Sequence, residues 1–156
     1  MHLTVTEGDL LDQDVEVIVN AWNRNFIPWW LLWSQGVSGA IKRRAGYQPF
    51  RELNRFGIIP LGGAVITSAG HLPFKAIIHV AGLNMLWMTS ETAIRNCVRN
   101  ALILAQQNGY RSIAFPLIDA GTGGMKAEQV LKLMQESAVQ VDYAGEVRFI
   151  RFKSHR

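Results

Sequence analysis

The chain has 156 residues, 49% of them hydrophobic and 18% charged, with a mean hydropathy of +0.08. That size suits one domain spanning residues 1–156, and the composition excludes a disordered tail, a collagen-like repeat and an acidic solvating segment. Sixteen Lys and Arg against twelve Asp and Glu leave a charge of +4 and an isoelectric point near 9.6, a mild excess that suits an anionic ligand without requiring nucleic acid.

The N-terminal residues lack a basic stretch followed by an apolar one, and Glu7 and Asp9 come at once, so a cytoplasmic protein without a secretory signal is expected. A first strand is predicted over Leu3–Thr6, leading into Gly8-Asp9-Leu10-Leu11. A second, over Val15–Asn20, ends in the amides of Val19-Asn20-Ala21-Trp22-Asn23. The longest apolar stretch, Phe26–Trp33, is far shorter than the ~20 residues of a membrane span and contains Pro28. Trp22, Trp29, Trp30 and Trp33, four of the five tryptophans, fall within twelve residues there. Gln35–Ile41 is glycine-rich and opens a helix predicted from about Val37 to Arg44, whose Lys42, Arg43 and Arg44 form a solvated basic end.

Further strands are predicted over Ala64–Ser68, Ala76–Val80, Ser112–Pro116 and Val147–Phe152. Between them, Ile94, Cys97, Val98, Ala101, Leu102 and Ala105 recur at helical spacing, with Ser90 as cap and Gly109 as stop. Ala127, Val130, Leu131, Met134, Ala138 and Val141 mark another helix. The lone Cys97 cannot form an internal bridge, and no Cys/His group has zinc spacing, so neither a metal nor a cofactor is expected and a reducing compartment fits. Several strands are continuously apolar, as strands covered on both faces are. Their alternation with helices predicts a three-layer α/β/α domain with ligands at the carboxyl ends of the strands.

Four polar or glycine-rich segments fall at those ends: after Thr6, at Asn20–Asn23, at Gln35–Ile41 and at Pro116–Gly124. Without Cβ atoms a backbone approaches an anion closely, and helix N-terminal amides donate to phosphate oxygens. Two such glycine loops suggest a diphosphate, although neither has the P-loop arrangement or the full dinucleotide fingerprint, and each taken alone is as readily an ordinary tight connection.

Taken in order, Gly8-Asp9, Asp14–Asn23, Gly36-Val37-Ser38-Gly39-Ala40-Ile41, Gly63–Gly70, Ile77–Gly82 and the Pro116–Gly124 loop resemble the signature of macro domains over nearly the whole chain. The resemblance implies a mixed, mostly parallel sheet of about six strands between helices, and a cleft for ADP-ribose. Many members hydrolyse ADP-ribose from proteins, nucleic-acid ends or O-acetyl-ADP-ribose; others only bind it. It assigns Asp9 to the adenine amino group, with Gly8 beside it and Leu10 lining the base pocket; a turn or cap role for Asp9 is the plainer alternative. Phe152 matches the aromatic that stacks on adenine, with core packing as its alternative. Gly36, Val37, Ser38 and Gly39, with Ala120, Gly121, Thr122, Gly123 and Gly124, would cradle the diphosphate and distal ribose through backbone amides. Asn23 matches the amide that holds the distal ribose and places the attacking water. Asn20, in the same ligand-binding set, is better suited to tying loop backbone together.

Two departures stand out. Many hydrolytic relatives carry an Asp where this chain has Ser38, and an unperturbed hydroxyl is too weak a base to deprotonate water near pH 7. Asp119, in the second glycine loop, is then the candidate base, its alternative being a loop or capping carboxylate; the substrate's own phosphate orienting the water is the other route. The Ser38 substitution favours a reader that binds ADP-ribose without turnover. The second departure replaces a run of glycines by residues 24–35, with Trp29, Trp30 and Trp33. Three roles compete for it: a lid over the distal ribose, extra core, or an interface for a second copy, a target protein or a membrane surface. Trp87 is expected to pack against it. Expected partners are therefore ADP-ribose or an ADP-ribosylated macromolecule. Nucleic acid is expected only as modified substrate, because Arg148, Arg151, Lys153 and Arg156 lack interleaved stacking residues. Relatives usually continue beyond the last strand into another helix.

Overall fold

The computed structural model describes residues 1–23, 41, 43–57, 59–83, 90–117 and 126–152, with the backbone alone at 22, 23, 82, 83 and 152. Among these residues the strands are β1 (His2–Gly8), β2 (Val17–Asn23), β3 (Ala64–Thr67), β4 (Ala76–Leu83), β5 (Ser112–Pro116) and β6 (Glu146–Phe152). The helices are α1 (Gln48–Arg55), α2 (Glu91–Gln107) and α3 (Ala127–Val139), with a short 3-10 turn at Leu10–Asp12. Ile41 and residues 43–45 are also helical, in agreement with the end of the helix expected over Val37–Arg44; its earlier residues lie outside the described set.

The six strands form one sheet in the order β1-β6-β5-β2-β4-β3. Every neighbouring pair is parallel except β3 with β4, so the sheet is mixed with one antiparallel edge strand. Residues alternate between the two faces, and both faces are covered. Val17, Val19, Ile78, Ile113, Phe115, Val147 and Phe149 meet the apolar sides of α2 and α3 in one cluster. Ile18, Ile77, Ala81, Ala114 and Ile150 meet Leu10 and Leu11 of the 3-10 turn, Ile41, and Phe50 and Leu53 of α1 in the other. Burial on both sides explains why these strands read as near-continuous apolar runs.

Local chemistry sets the ends of α2. The Ser90 hydroxyl accepts from the Ala93 amide at 3.1 Å. At the other end Gly109, at φ +74°, donates to Gln106 while Tyr110 donates to Ala105, the two-bond closure that a left-handed residue permits. The sequence pattern gave no sign of α1. It is only eight residues long, with Pro49 in its first turn and Phe50 and Leu53 as the other buried positions, too short a run for helical periodicity to show.

Candidate functional site

The parallel strands end together at Gly8, Asn23, Leu83, Pro116 and Phe152, the edge that was expected to hold the ligand. Two features open this edge between β2 and β5. The β2–β5 ladder consists of Val17↔Ile113 and Ile18↔Ala114, whereas β2 continues to Asn23 against β4 and β5 continues to Pro116 against β6. Pro116 brings no N–H with which to extend pairing. The next described residues after β2, from Ile41, pack on the face of α1, and the next described helix after β5, α3, packs on the opposite face. Strands that pair and then send their connections to opposite faces create a switch-point crevice, the usual ligand position in an open α/β sheet.

One flank of the crevice is built by β1 and β6. Gly8 pairs with Phe152, which brings Asp9 beside Phe152 at the end of the sheet, as an adenine site formed by both requires. Asp9 is half-buried and caps the 3-10 turn, its Oδ1 accepting from the Leu11 amide at 2.9 Å. Its carbonyl accepts from the Gln13 side chain at 3.0 Å and from the Asp12 amide at 3.2 Å. The capping role is therefore real, and it fixes the carboxylate. Leu10 is buried in the cluster beneath α1. β1 and β2 are three strand spacings apart, roughly 14 Å at 4.7–4.9 Å each, so a ligand reaching from Asp9 to Asn23 must be extended and cross β6 and β5.

Beneath the opened end of β2 runs a line of buried polar groups. Asn20 and His79 are register partners on β2 and β4, and both are fully buried. Asn20 Nδ2 lies 3.0 Å from His79 Nδ1, and Thr67 Oγ1 of β3 lies 2.8 Å from His79 Nε2. Thr67 donates its hydroxyl proton to the Ser68 carbonyl at 3.0 Å, so it accepts from His79. His79 is then a neutral imidazole with its proton on Nε2, and its Nδ1 lone pair accepts from Asn20. Burial pushes the His79 pKa from 6.5 to about 3, which keeps the ring neutral. Phe50 of α1 meets the ring edge-on, with centroids 5.9 Å apart. Asn20 Oδ1 has no partner among the described residues. The line continues at the surface, where the Ser68 amide and hydroxyl both donate to the Glu52 carboxylate of α1.

This line was missed at the sequence level for His79 and Thr67. The usable signal was a polar residue interrupting an apolar strand covered on both faces, in Ile77-Ile78-His79-Val80 and Val65-Ile66-Thr67. Of the residues singled out earlier, Gly8, Asp9, Leu10 and Asn20 are placed as above, and Asn23 and Phe152 by their backbones. Gly36, Val37, Ser38, Gly39, Asp119, Ala120, Gly121, Thr122, Gly123 and Gly124 lie outside the described residues, as do Trp29, Trp30, Trp33 and Trp87. Among the described residues no group of His, Cys, Asp and Glu could hold a metal ion, and no helix is long and apolar enough to cross a membrane.

Comparison with known proteins agrees with this geometry. The macro domain family model matches residues 19–134. A macro domain-containing protein of Listeria monocytogenes is 39% identical over 97% of this chain and 89% of its own length. An O-acetyl-ADP-ribose deacetylase of Escherichia fergusonii is 41% identical over 79% of this chain and 70% of its own. The macrodomain of Oceanobacillus iheyensis, solved with ADP, superimposes with a TM-score of 0.80 at 29% identity, covering 95% of this chain and 82% of that one. With the family model spanning most of the chain and the mixed sheet opening where a nucleotide would lie, this chain belongs to the macro domain family.

Proposed function

We propose that the chain binds ADP-ribose across the carboxyl ends of β1, β6, β5 and β2 and hydrolyses a bond at its distal ribose. The observation that carries this is the crevice between β2 and β5, with Asp9 and Phe152 side by side at its far flank and Asn23 at the end of β2. Asp9 accepts from the adenine amino group and Phe152 stacks on the ring. The glycines at 36, 39, 121, 123 and 124 supply amides to the diphosphate and distal ribose, and Asn23 holds that ribose and the attacking water. The ADP found with the Oceanobacillus iheyensis neighbour and the name of the Escherichia fergusonii relative support this nucleotide and this class of reaction.

In the leading reading, water attacks the anomeric carbon through an oxocarbenium-like transition state. The new C–O bond forms as the bond to the modified side chain breaks, and the leaving group takes up the proton that water loses. Asp119 is the proposed base. An ester on the same ribose, as in O-acetyl-ADP-ribose, is the second candidate bond. A reader without turnover is the alternative, favoured by Ser38 where hydrolytic relatives have a carboxylate.

Calorimetry with ADP-ribose tests binding. Replacing a charged acceptor costs about 1.5–3 kcal/mol, so Asp9→Ala should weaken affinity by roughly 10–100-fold. The inosine analogue, which presents a carbonyl instead of the amino group, should bind wild type poorly and gain nothing from Asp9. Equal affinity of wild type and Asp9→Ala would remove this residue from the site. For turnover, O-acetyl-ADP-ribose and proteins carrying Glu-, Arg- or Ser-linked ADP-ribose are incubated with the protein, and free ADP-ribose is measured. Release that is lost in Asn23→Ala and Asp119→Ala supports the hydrolase. Tight binding without release from any substrate establishes the reader.

A further inference from the structure

The charge of this chain is unevenly distributed. From Arg24 to Ser90 it carries seven Lys and Arg against one carboxylate, Glu52, so this stretch holds more positive charge than the whole protein's +4. Of the described cations in this stretch, Lys75 pairs with Glu16, and Arg43, Arg44, Arg51 and Arg55 lie on α1 and the helical residues before it. α1 buries Pro49, Phe50 and Leu53. On the opposite side, Tyr47, Arg51 and Arg55 follow one another at four-residue spacing, all exposed, and Arg43 and Arg44 are exposed in the helical residues before Gly46. Tyr47 is 58% exposed, and Phe56, which closes the helix, is 52% exposed.

The one carboxylate, Glu52, offsets only part of this charge, through its attraction to Arg55. Against the upward push of burial, hydrogen bonds from the Ser68 hydroxyl and amide hold the Glu52 carboxyl below its ordinary value, and those bonds tie it to the end of β3. Arg44 lies 3.7 Å from Asp12, with both side chains largely in solvent. Arg43, Arg51 and Arg55 are in no salt bridge among the described residues.

We propose that this α1 face is a docking surface for single-stranded nucleic acid, separate from the crevice at the strand ends. Among the described residues every cation on it is an arginine, whose planar fork matches phosphate oxygens in pairs as an ammonium does not. Two exposed aromatic side chains, Tyr47 before α1 and Phe56 at its end, bracket these arginines along the chain and offer faces on which unpaired bases stack, a combination typical of sequence-tolerant single-strand binding. An acidic protein surface would use the charge and leave the aromatic faces without a matching group. The arginines described on β6 are paired instead, Arg148 with Glu146 and Arg151 with Glu128, which leaves the α1 face the better candidate.

The test is fluorescence anisotropy of a labelled 20-nucleotide oligo-dT at low salt. The protein should bind it with a log–log salt slope of about −2 to −3, the release expected from three or four neutralised phosphates at about −0.7 each. Arg51→Glu/Arg55→Glu should weaken binding at least tenfold, while Arg99→Glu/Lys132→Glu, the same charge change on exposed positions of α2 and α3, should weaken it far less. Tyr47→Ala/Phe56→Ala, and an abasic oligomer with wild type, should each lose several-fold. Each variant is first shown to retain its melting temperature and its affinity for ADP-ribose; where Arg51→Glu/Arg55→Glu fails to fold, Arg51→Gln/Arg55→Gln takes its place. Equal loss in the two charge-reversal variants would overturn the proposal, as would tighter binding of a duplex. So would stronger competition by polyglutamate of equal charge, or displacement of the oligomer by ADP-ribose, which would put it in the crevice.

Discussion

Val17, Val19, Ile78, Ile113, Phe115, Val147 and Phe149 line the sheet beneath α2 and α3, whereas the face beneath α1 sets Asn20, His79 and Thr67 in a row among its apolar neighbours. Apolar contacts are strong in sum but weakly directional, and they fix volume more than position. Hydrogen bonds to a buried imidazole act the other way. They add little net stability when made, cost much when broken, and fix the lateral placement of the strands that carry them. The row crosses β2, β4 and β3 where β2 has already lost its ladder to β5. Both faces are buried apolar surfaces, but only the face of α1 adds a row of directional bonds across β2, β4 and β3, beneath the open end of β2 that carries Asn23.

The contrast breaks most sharply at Phe115, fully buried and 5.5 Å centroid to centroid from Phe149. Phe115→Ala should cost about 3–5 kcal/mol in urea unfolding, from lost transfer energy and the cavity left behind. Its dependence on pH should match that of wild type. A loss below about 1 kcal/mol would mean that this face is not the close-packed side.

The other face should show itself in acid. The folded pKa of His79 is about 3 and its ordinary value 6.5, so between these pH values the unfolded chain binds a proton that the folded one refuses. Stability is then fully present above pH 6.5 and falls as the pH drops towards 3. Between pH 6.5 and 4.5 the fall amounts to about 2 kcal/mol. His79→Gln should flatten the curve over that window, whatever it does to stability at pH 7. A variant that keeps the wild-type slope would show that other groups carry it.

A comparison within one strand is finer. Thr67→Val keeps the shape but leaves the His79 Nε2–H without an acceptor, at a cost of about 1–2 kcal/mol. Ile66→Val, one residue earlier and facing the apolar side, should cost less than about 1 kcal/mol, because Ile66 is only partly buried. Reversed order in chemical denaturation would remove the distinction between the faces.

The sequence revealed different parts of the molecule unequally. All six strands were legible because β-branched runs closed by Gly, Asn or Pro have few alternatives, although β2 begins two residues later and ends three residues later than expected, because Ala21, Trp22 and Asn23 pair onward with β4. α2 was legible through its long periodic face and its two end signals. α1 was not, since a helix of eight residues leaves too little pattern. The ordered glycine motifs were enough to point to the family, which is why Gly8, Asp9 and Phe152 were named before their register was known. His79 and Thr67 escaped for the opposite reason: each is a single polar residue whose meaning lies in a partner on another strand, and strand order is not written locally.

The smallest effect concerns the outer surface of the apolar face. Arg95 of α2 reaches Glu136 of α3 at 2.8 Å, and both side chains remain more than a third exposed. A pair in that position is screened by water and salt and loses side-chain entropy in forming, so Arg95→Met should change stability by less than about 1 kcal/mol, and less still in 0.5 M salt. The two helices have a second tie close by, the Ser137 hydroxyl donating to the Arg95 carbonyl at 2.7 Å, with Ser137 buried. That bond uses the Arg95 backbone and survives the substitution. If Arg95→Met proved as damaging as Thr67→Val, the apolar face would depend on directional polar contacts too, and the division of labour between the two faces would fail.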